Sequence, residues 1–146
     1  MTTLLALDIG GTKVGWGIVE VRQNYTVVER GSIPTEASRG GADVAERICS
    51  LAASLKEAHP EASGVAIASA GVVDPAEGKI VSATDIMPGW GGTPLGKLVE
   101  ERTGLPVRVL NDVHAHGLGE ATLGAGRPYS SVLSIAVGTG IGGALV

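Results

Sequence analysis

At 146 residues, 44% of them hydrophobic and with a formal charge of −4, the chain has the length of one domain and enough apolar material for a core, which excludes disorder. The acidic balance and an aromatic content of 3% leave no basic face and few stacking platforms for nucleic acid. No run of about 18 apolar residues is present to span a membrane. The single cysteine, Cys49, cannot build a disulfide framework or a Cys-rich zinc site and reads as a small buried residue. The chain runs from Met1-Thr2-Thr3 straight into an apolar stretch without a basic leader, so a soluble, cytoplasmic protein is expected.

In chain order, Leu4–Leu7 reads as a buried strand, residues 14–21 as a second and Tyr25–Arg30 as a third, with Gly10-Gly11 as the hairpin turn between the first two. Residues 41–58 read as a helix, because Val44, Ile48, Leu51 and Leu55 recur at spacings of three and four and Pro60 stops the run. Val65–Ala68 is a short buried strand. Residues 72–93 are loop-rich, with a short strand near Lys79–Ser82 and turn signals at Asp74-Pro75 and Pro88-Gly89. A second helix starts with Thr93 as N-cap and Pro94 as first residue and ends near Thr103, before Gly104 and Pro106. Val107–Leu110 is another strand, Asn111-Asp112 opens a third helix to about Leu123, and residues 132–137 and 144–146 flank a last glycine turn. The order implies an α/β fold, a mixed sheet with an antiparallel meander and helices packed on it.

Three places can carry chemistry. Asp8-Ile9-Gly10-Gly11-Thr12-Lys13 follows the first strand: glycine lets backbone N–H groups approach an anion, Thr12 adds a hydroxyl, Lys13 a positive charge, and Asp8 a carboxylate for hydrated Mg²⁺. Gly138-Thr139-Gly140-Ile141-Gly142-Gly143 repeats the strand-then-glycine pattern at the far end, so the two turns suggest a grip on one phosphate chain. Each is equally readable as a plain hairpin turn. Asn111-Asp112 sits at a strand-to-helix junction, where capping alone accounts for both residues; the functional alternative has Asp112 accepting a proton from an attacking hydroxyl while Asn111 bonds a neighbouring one. His114 and His116 fit a solvated helix face, with a metal pair of His116 and Glu120 as the alternative. Trp16 and Trp90 suit packing, and Gly89-Trp90-Gly91-Gly92 looks mobile enough for a lid or a substrate loop.

Taken together these pieces resemble the ROK family of sugar kinases and related repressors, in the actin-like ATPase superfamily with ribonuclease H-like lobes. The resemblance rests on Asp8–Lys13, Ser69-Ala70-Gly71 with Val73-Asp74-Pro75, Pro88-Gly89-Trp90 with Pro94-Leu95, Asn111-Asp112 and Gly138–Gly143, in the family's order. It implies ATP-dependent phosphorylation of a hexose, usually at the 6-hydroxyl, as in glucokinases and N-acetylmannosamine kinases. Asp112 then matches the catalytic base. Asn111 and Gly71 match sugar-binding positions, and Asp85 falls near another. Gly10, Gly11, Thr12 and Lys13, with Gly138, Thr139, Gly140 and Gly142, would hold nucleotide phosphates, and Asp8 would act through Mg²⁺ by way of water. The family's zinc motif, further sugar contacts and adenosine pocket have no counterpart here, so zinc is expected only in a carboxy-terminal half. The resemblance therefore implies an amino-terminal lobe over 1–131, with 132–146 starting a second lobe, weakly active or inactive alone. Partners would be a hexose and a nucleotide, with no nucleic acid or membrane, in a homo-oligomer such as a dimer. A non-catalytic sugar-binding or assembly module is the alternative. A repressor fragment is disfavoured because the first strand begins near residue 4, leaving no winged-helix segment ahead of it.

Overall fold

The opening apolar run becomes the middle strand of a sheet because it alternates: Thr3, Leu5, Leu7 and Ile9 are buried on one face while Asp8 is exposed on the other. The computed structural model describes residues 1–138 and 140–146. Its elements are β1 (Thr2–Ile9), β2 (Lys13–Val21), β3 (Tyr25–Pro34), α1 (Gly41–Ala58), β4 (Ala62–Ser69), β5 (Val72–Asp74), β6 (Lys79–Ser82), α2 (Leu95–Thr103), β7 (Val107–Asn111), α3 (Asp112–Thr122), β8 (Leu133–Val137) and β9 (Ile141–Leu145). Five strands form one mixed sheet in the order β3-β2-β1-β4-β7, and β5-β6 and β8-β9 form separate hairpins. β1 runs antiparallel to β2 and parallel to β4, which runs parallel to β7. This is the α/β arrangement with an antiparallel meander expected above.

The core lies where α1 and α2 cover one sheet face. Val44, Ile48, Ala52 and Leu55 of α1 and Leu95 and Val99 of α2 share a buried cluster with Leu5, Ile9, Val65, Ile67 and Val109. A side chain as buried as Ile48 contributes about 1.5–3 kcal/mol. α2 ends at Gly104, whose φ of 70° is left-handed and whose N–H donates to the Glu100 carbonyl at 2.8 Å. The β8-β9 hairpin packs on α3 at Gly117, where an added Cβ would stand 3.1 Å from both Ser134 and Val146.

The structure departs from the sequence expectations at three points. Val72–Asp74, in the stretch read as loop, pairs with Lys79–Ser82; three residues are too few to show a period, although Asp74 forms the expected turn by accepting from Ala76 N at 3.0 Å. The N-cap of α2 is Pro94, because the Thr93 hydroxyl donates back to the Trp90 carbonyl at 2.7 Å. β9 begins at Ile141, so Gly142 and Gly143 are strand residues opposite Ala136 and Ile135.

Candidate functional site

Three parallel strands end in register at one edge of the sheet: Ile9 pairs with Ser69, and Ser69 with Asn111. Ligands of open α/β sheets bind at this carboxyl edge. The register brings Asp8, the turn at 10–12, the turn at 69–71 and Asn111-Asp112 together from three distant parts of the chain.

The first turn is built from inside. Gly10 N donates to the Lys13 carbonyl at 3.0 Å, which closes the turn and occupies that N–H. Buried Thr35 braces it from behind, its hydroxyl donating to Gly10 O at 2.7 Å and its N–H to Thr12 O at 3.0 Å. Neither Gly10 nor Gly11 has a left-handed φ. Glycine at 11 answers to space, since a Cβ there would stand 2.8 Å from the Ile86 side chain.

The second turn does need its glycine. Gly71 has φ of 99°, and a Cβ would stand 2.7 Å from the Ser82 carbonyl oxygen. Asn111 ties this turn to α3. Its Oδ1 accepts from Val113 N at 3.0 Å and His114 N at 3.2 Å, the expected cap, while Nδ2 donates to Gly71 O at 2.8 Å. One Asp112 oxygen accepts from Val113 N at 2.9 Å.

Asp8, Lys13 and Asp112 line one groove of about 1180 Å³ between α3 and the open sheet face, shared with Trp16, His116 and Ala136. The Asp8 carboxyl is pushed above the usual carboxylate range, first by partial withdrawal from water and then by the charge of Asp112, with Lys13 opposing. A smaller cavity of about 630 Å³, between α1 and α2, is lined by Cys49, Arg102 and the glycines of the 89–92 segment, and by none of the candidate catalytic, sugar-binding or phosphate-binding residues. Burial pushes the Cys49 thiol up, as fits an inert core residue.

Other candidates lie apart from the groove. Asp85 is exposed on the loop before Trp90. Gly138 and Gly140 border open space, and Gly138 N donates to Gly140 O at 2.8 Å. Gly142 lies over Val113, and Thr139 lies outside the described residues. No group of three His, Cys, Asp or Glu among the described residues could hold a metal, and Glu120 accepts from Ala125 N at 3.2 Å. The expected lid at 89–92 is held down: Trp90 is fully buried, Gly41 N donates to Pro88 O at 2.7 Å and Gly92 N to Ile80 O at 2.6 Å. Four residues rich in glycine look mobile in sequence, but the indole anchors them.

Thr35 was not legible in the sequence, because its partners are more than 20 positions away. Ser69 left a trace, as a polar residue at an inward position after Val65 and Ile67.

Residues 4–146 match the family described as ROK family. The chain belongs to the ROK family. Among ROK proteins, it is 33% identical over 146 residues to the glucokinase of Streptomyces coelicolor, which covers 100% of this chain and 44% of that protein. The crystal structure of a ROK family glucokinase from Streptomyces griseus in complex with glucose and AMPPNP superimposes with a TM-score of 0.84 at 33% identity, covering 99% of this chain and 44% of that one. An inorganic polyphosphate/ATP-glucomannokinase from Arthrobacter sp. strain KM gives 0.83 at 36% identity, covering 100% and 58%. The fold is thus that of the ROK sugar kinases, with their actin-like ATPase architecture. The chain spans about half the length of the curated relatives it matches. Among the described residues no helix is long and apolar enough to cross a membrane.

Proposed function

We propose that the chain is the amino-terminal lobe of an ATP-dependent hexose kinase acting on the 6-hydroxyl of glucose or an N-acetylhexosamine, with little or no turnover alone. The observation that carries this is the register Ile9–Ser69–Asn111, which gathers Asp8, Lys13 and Asp112 around one groove in a ROK chain. The glucose and nucleotide analogue bound by the Streptomyces griseus relative support the substrate class.

In this mechanism Asp112 accepts the proton of the attacking hydroxyl as its oxygen bonds to the γ-phosphorus, while the bond to the bridging oxygen breaks and ADP leaves. Asn111, Gly71 and Asp85 form the sugar end. Asn111 has one Nδ2 proton beyond its bond to Gly71 for a sugar hydroxyl. Lys13 and the N–H groups of Gly11 and Thr12 face the phosphates, since that of Gly10 is occupied. Gly138, Thr139, Gly140 and Gly142 are assigned to the same phosphates. Asp8 fits a hydrated divalent cation: its carboxylate shares one groove with that of Asp112, and the repulsion between them is what a cation relieves. When bound, Mg²⁺ held by Asp8 through water supplies charge neutralisation for the phosphates. No residue here is assigned to zinc.

In a chain that carries the second lobe, Asp112→Ala should abolish hexose-dependent ADP release while hexose affinity changes only slightly; retained turnover removes the base assignment. Measurable glucose-dependent ADP release by residues 1–146 alone would overturn the claim that one lobe is insufficient.

A specific observation also favours a role in assembly. Leu133, Ile135, Val137, Ile141 and Leu145 share one face of the β8-β9 hairpin and are 61–80% exposed. An apolar face of this kind is covered in a stable protein. It suits residues 132–146 as the start of a second lobe, and in its absence a homo-oligomeric contact, most simply a dimer. Light scattering decides: a monomer at micromolar concentration removes the assembly reading.

A further inference from the structure

We infer that Ser69 is a positioning residue: through a buried indole–hydroxyl–carbonyl relay it ties the Trp90 loop to the turn that carries Gly71 and receives Asn111. Its functional consequence rests on the kinase reading above. Its physical basis does not.

Both residues are fully buried. Trp90 Nε1 donates to Ser69 Oγ at 3.1 Å, and Ser69 Oγ donates to the Ala70 carbonyl at 2.9 Å. An indole N–H can only donate, so the serine oxygen must accept there and direct its own proton to Ala70. The Ala70 N–H in turn donates to Ile9 O at 2.9 Å, beside Asp8. Asn111 takes the next carbonyl, that of Gly71. Two successive carbonyls of the turn are thereby held, one by each neighbour.

Packing alone does not call for this arrangement. β4 presents Val65 and Ile67 to the core before Ser69, and a third apolar residue would continue the pattern. A buried serine and a buried indole N–H are each costly without a partner and specific with one. The relay also has reach. The loop that carries Trp90 places Ile86 against Gly11 of the first turn, where an added Cβ would stand 2.8 Å away. One anchored loop therefore touches the proposed phosphate end through Ile86 and braces the proposed sugar end through Trp90 and Ser69.

The test is amide and indole hydrogen exchange by NMR on the chain, with Ser69→Ala and Trp90→Phe, beside glucose and N-acetylhexosamine titration of the same variants in a chain that carries the second lobe. The probes are the Ala70 amide and the Trp90 indole N–H; the control is the Gly10 amide, which Thr35 braces independently. In Ser69→Ala, exchange at the Trp90 indole should quicken roughly 5- to 150-fold, the range implied by an orphaned buried donor, and exchange at the Ala70 amide, which keeps its bond to Ile9 O, should quicken less but measurably, with Gly10 unchanged and sugar affinity falling in step. Trp90→Phe leaves the serine hydroxyl in place and should quicken Ala70 by a smaller factor; it decides the matter if Ser69→Ala does not fold. Unchanged exchange at Ala70 in either variant, or an equal rise at Gly10, overturns the relay, because the latter is general loosening. Exchange that behaves as expected, while the chain joined to its second lobe binds neither glucose nor an N-acetylhexosamine, keeps the relay and removes the kinase reading instead.

Discussion

Asn111 performs two separable tasks, and two substitutions divide them. Asn111→Ser keeps a side-chain oxygen able to cap α3 but is too short to donate to Gly71 O, now 2.8 Å from Nδ2. Asn111→Ala loses both. The lost bond to Gly71 is worth about 0.5–1.5 kcal/mol net. Loss of a cap costs about 0.5–2 kcal/mol in general. Here Asp112 Oδ1 lies 2.9 Å from the Val113 N–H and keeps it satisfied, so only His114 N is orphaned and the low end applies, about 0.5–1 kcal/mol. Serine should therefore cost about 0.5–1.5 kcal/mol and alanine about 1–2.5 kcal/mol. In urea unfolding, with m about 1–3 kcal/mol/M, the alanine midpoint should fall by roughly 1 M at unchanged m. Serine and alanine costing the same would show that the cap contributes nothing, and losses below about 0.5 kcal/mol for both would refute the two-task account.

Gly71→Ala must adopt a φ of 99° and push the Ser82 carbonyl aside, so a loss of about 2–4 kcal/mol is expected in thermal unfolding, and one below about 1 kcal/mol contradicts the turn geometry. Thr35→Val preserves volume but strips Gly10 O of its hydroxyl donor; stability should drop by about 1–2 kcal/mol, with faster exchange at the Gly10 amide, and no change at Gly10 would refute the brace. Asp8 titrates above the ordinary 3.8 in the folded chain. A raised carboxylate favours folding in its protonated form, an advantage complete below that ordinary value and lost as pH rises through the folded one, so ionised Asp8 opposes folding at neutral pH. Asp8→Asn should thus raise Tm at pH 7, lose that advantage near pH 3 and weaken Mg²⁺ binding; an equal Tm difference at both pH values refutes the electrostatic account.

Much of the fold was readable because its causes are local. The period of Val44, Ile48 and Leu55 gave α1 its bounds, Gly104 marked the stop of α2, and Asn111 capped α3 as its residue type suggests. What escaped was set by partners far along the chain. Val72–Asp74 is a strand only because Lys79–Ser82 lies beside it. The segment Gly89-Trp90-Gly91-Gly92 is rigid because its indole finds a buried hydroxyl 21 positions away. Thr35 is a plain polar residue until the β1-β2 turn folds against it.

The sequence by itself determined the element order apart from the strand at Val72–Asp74, the glycine turns behind apolar runs and the family to which those motifs belong. All are short-range patterns of side-chain type and backbone preference. Only the tertiary structure decided that Asp8 and Asp112 share one groove, that Gly11 lies against Ile86 without a left-handed φ, and that Ser69 joins two loops. Parallel strands meet only through long crossovers, so their register leaves no local trace. That register is what turns separate motifs into a site.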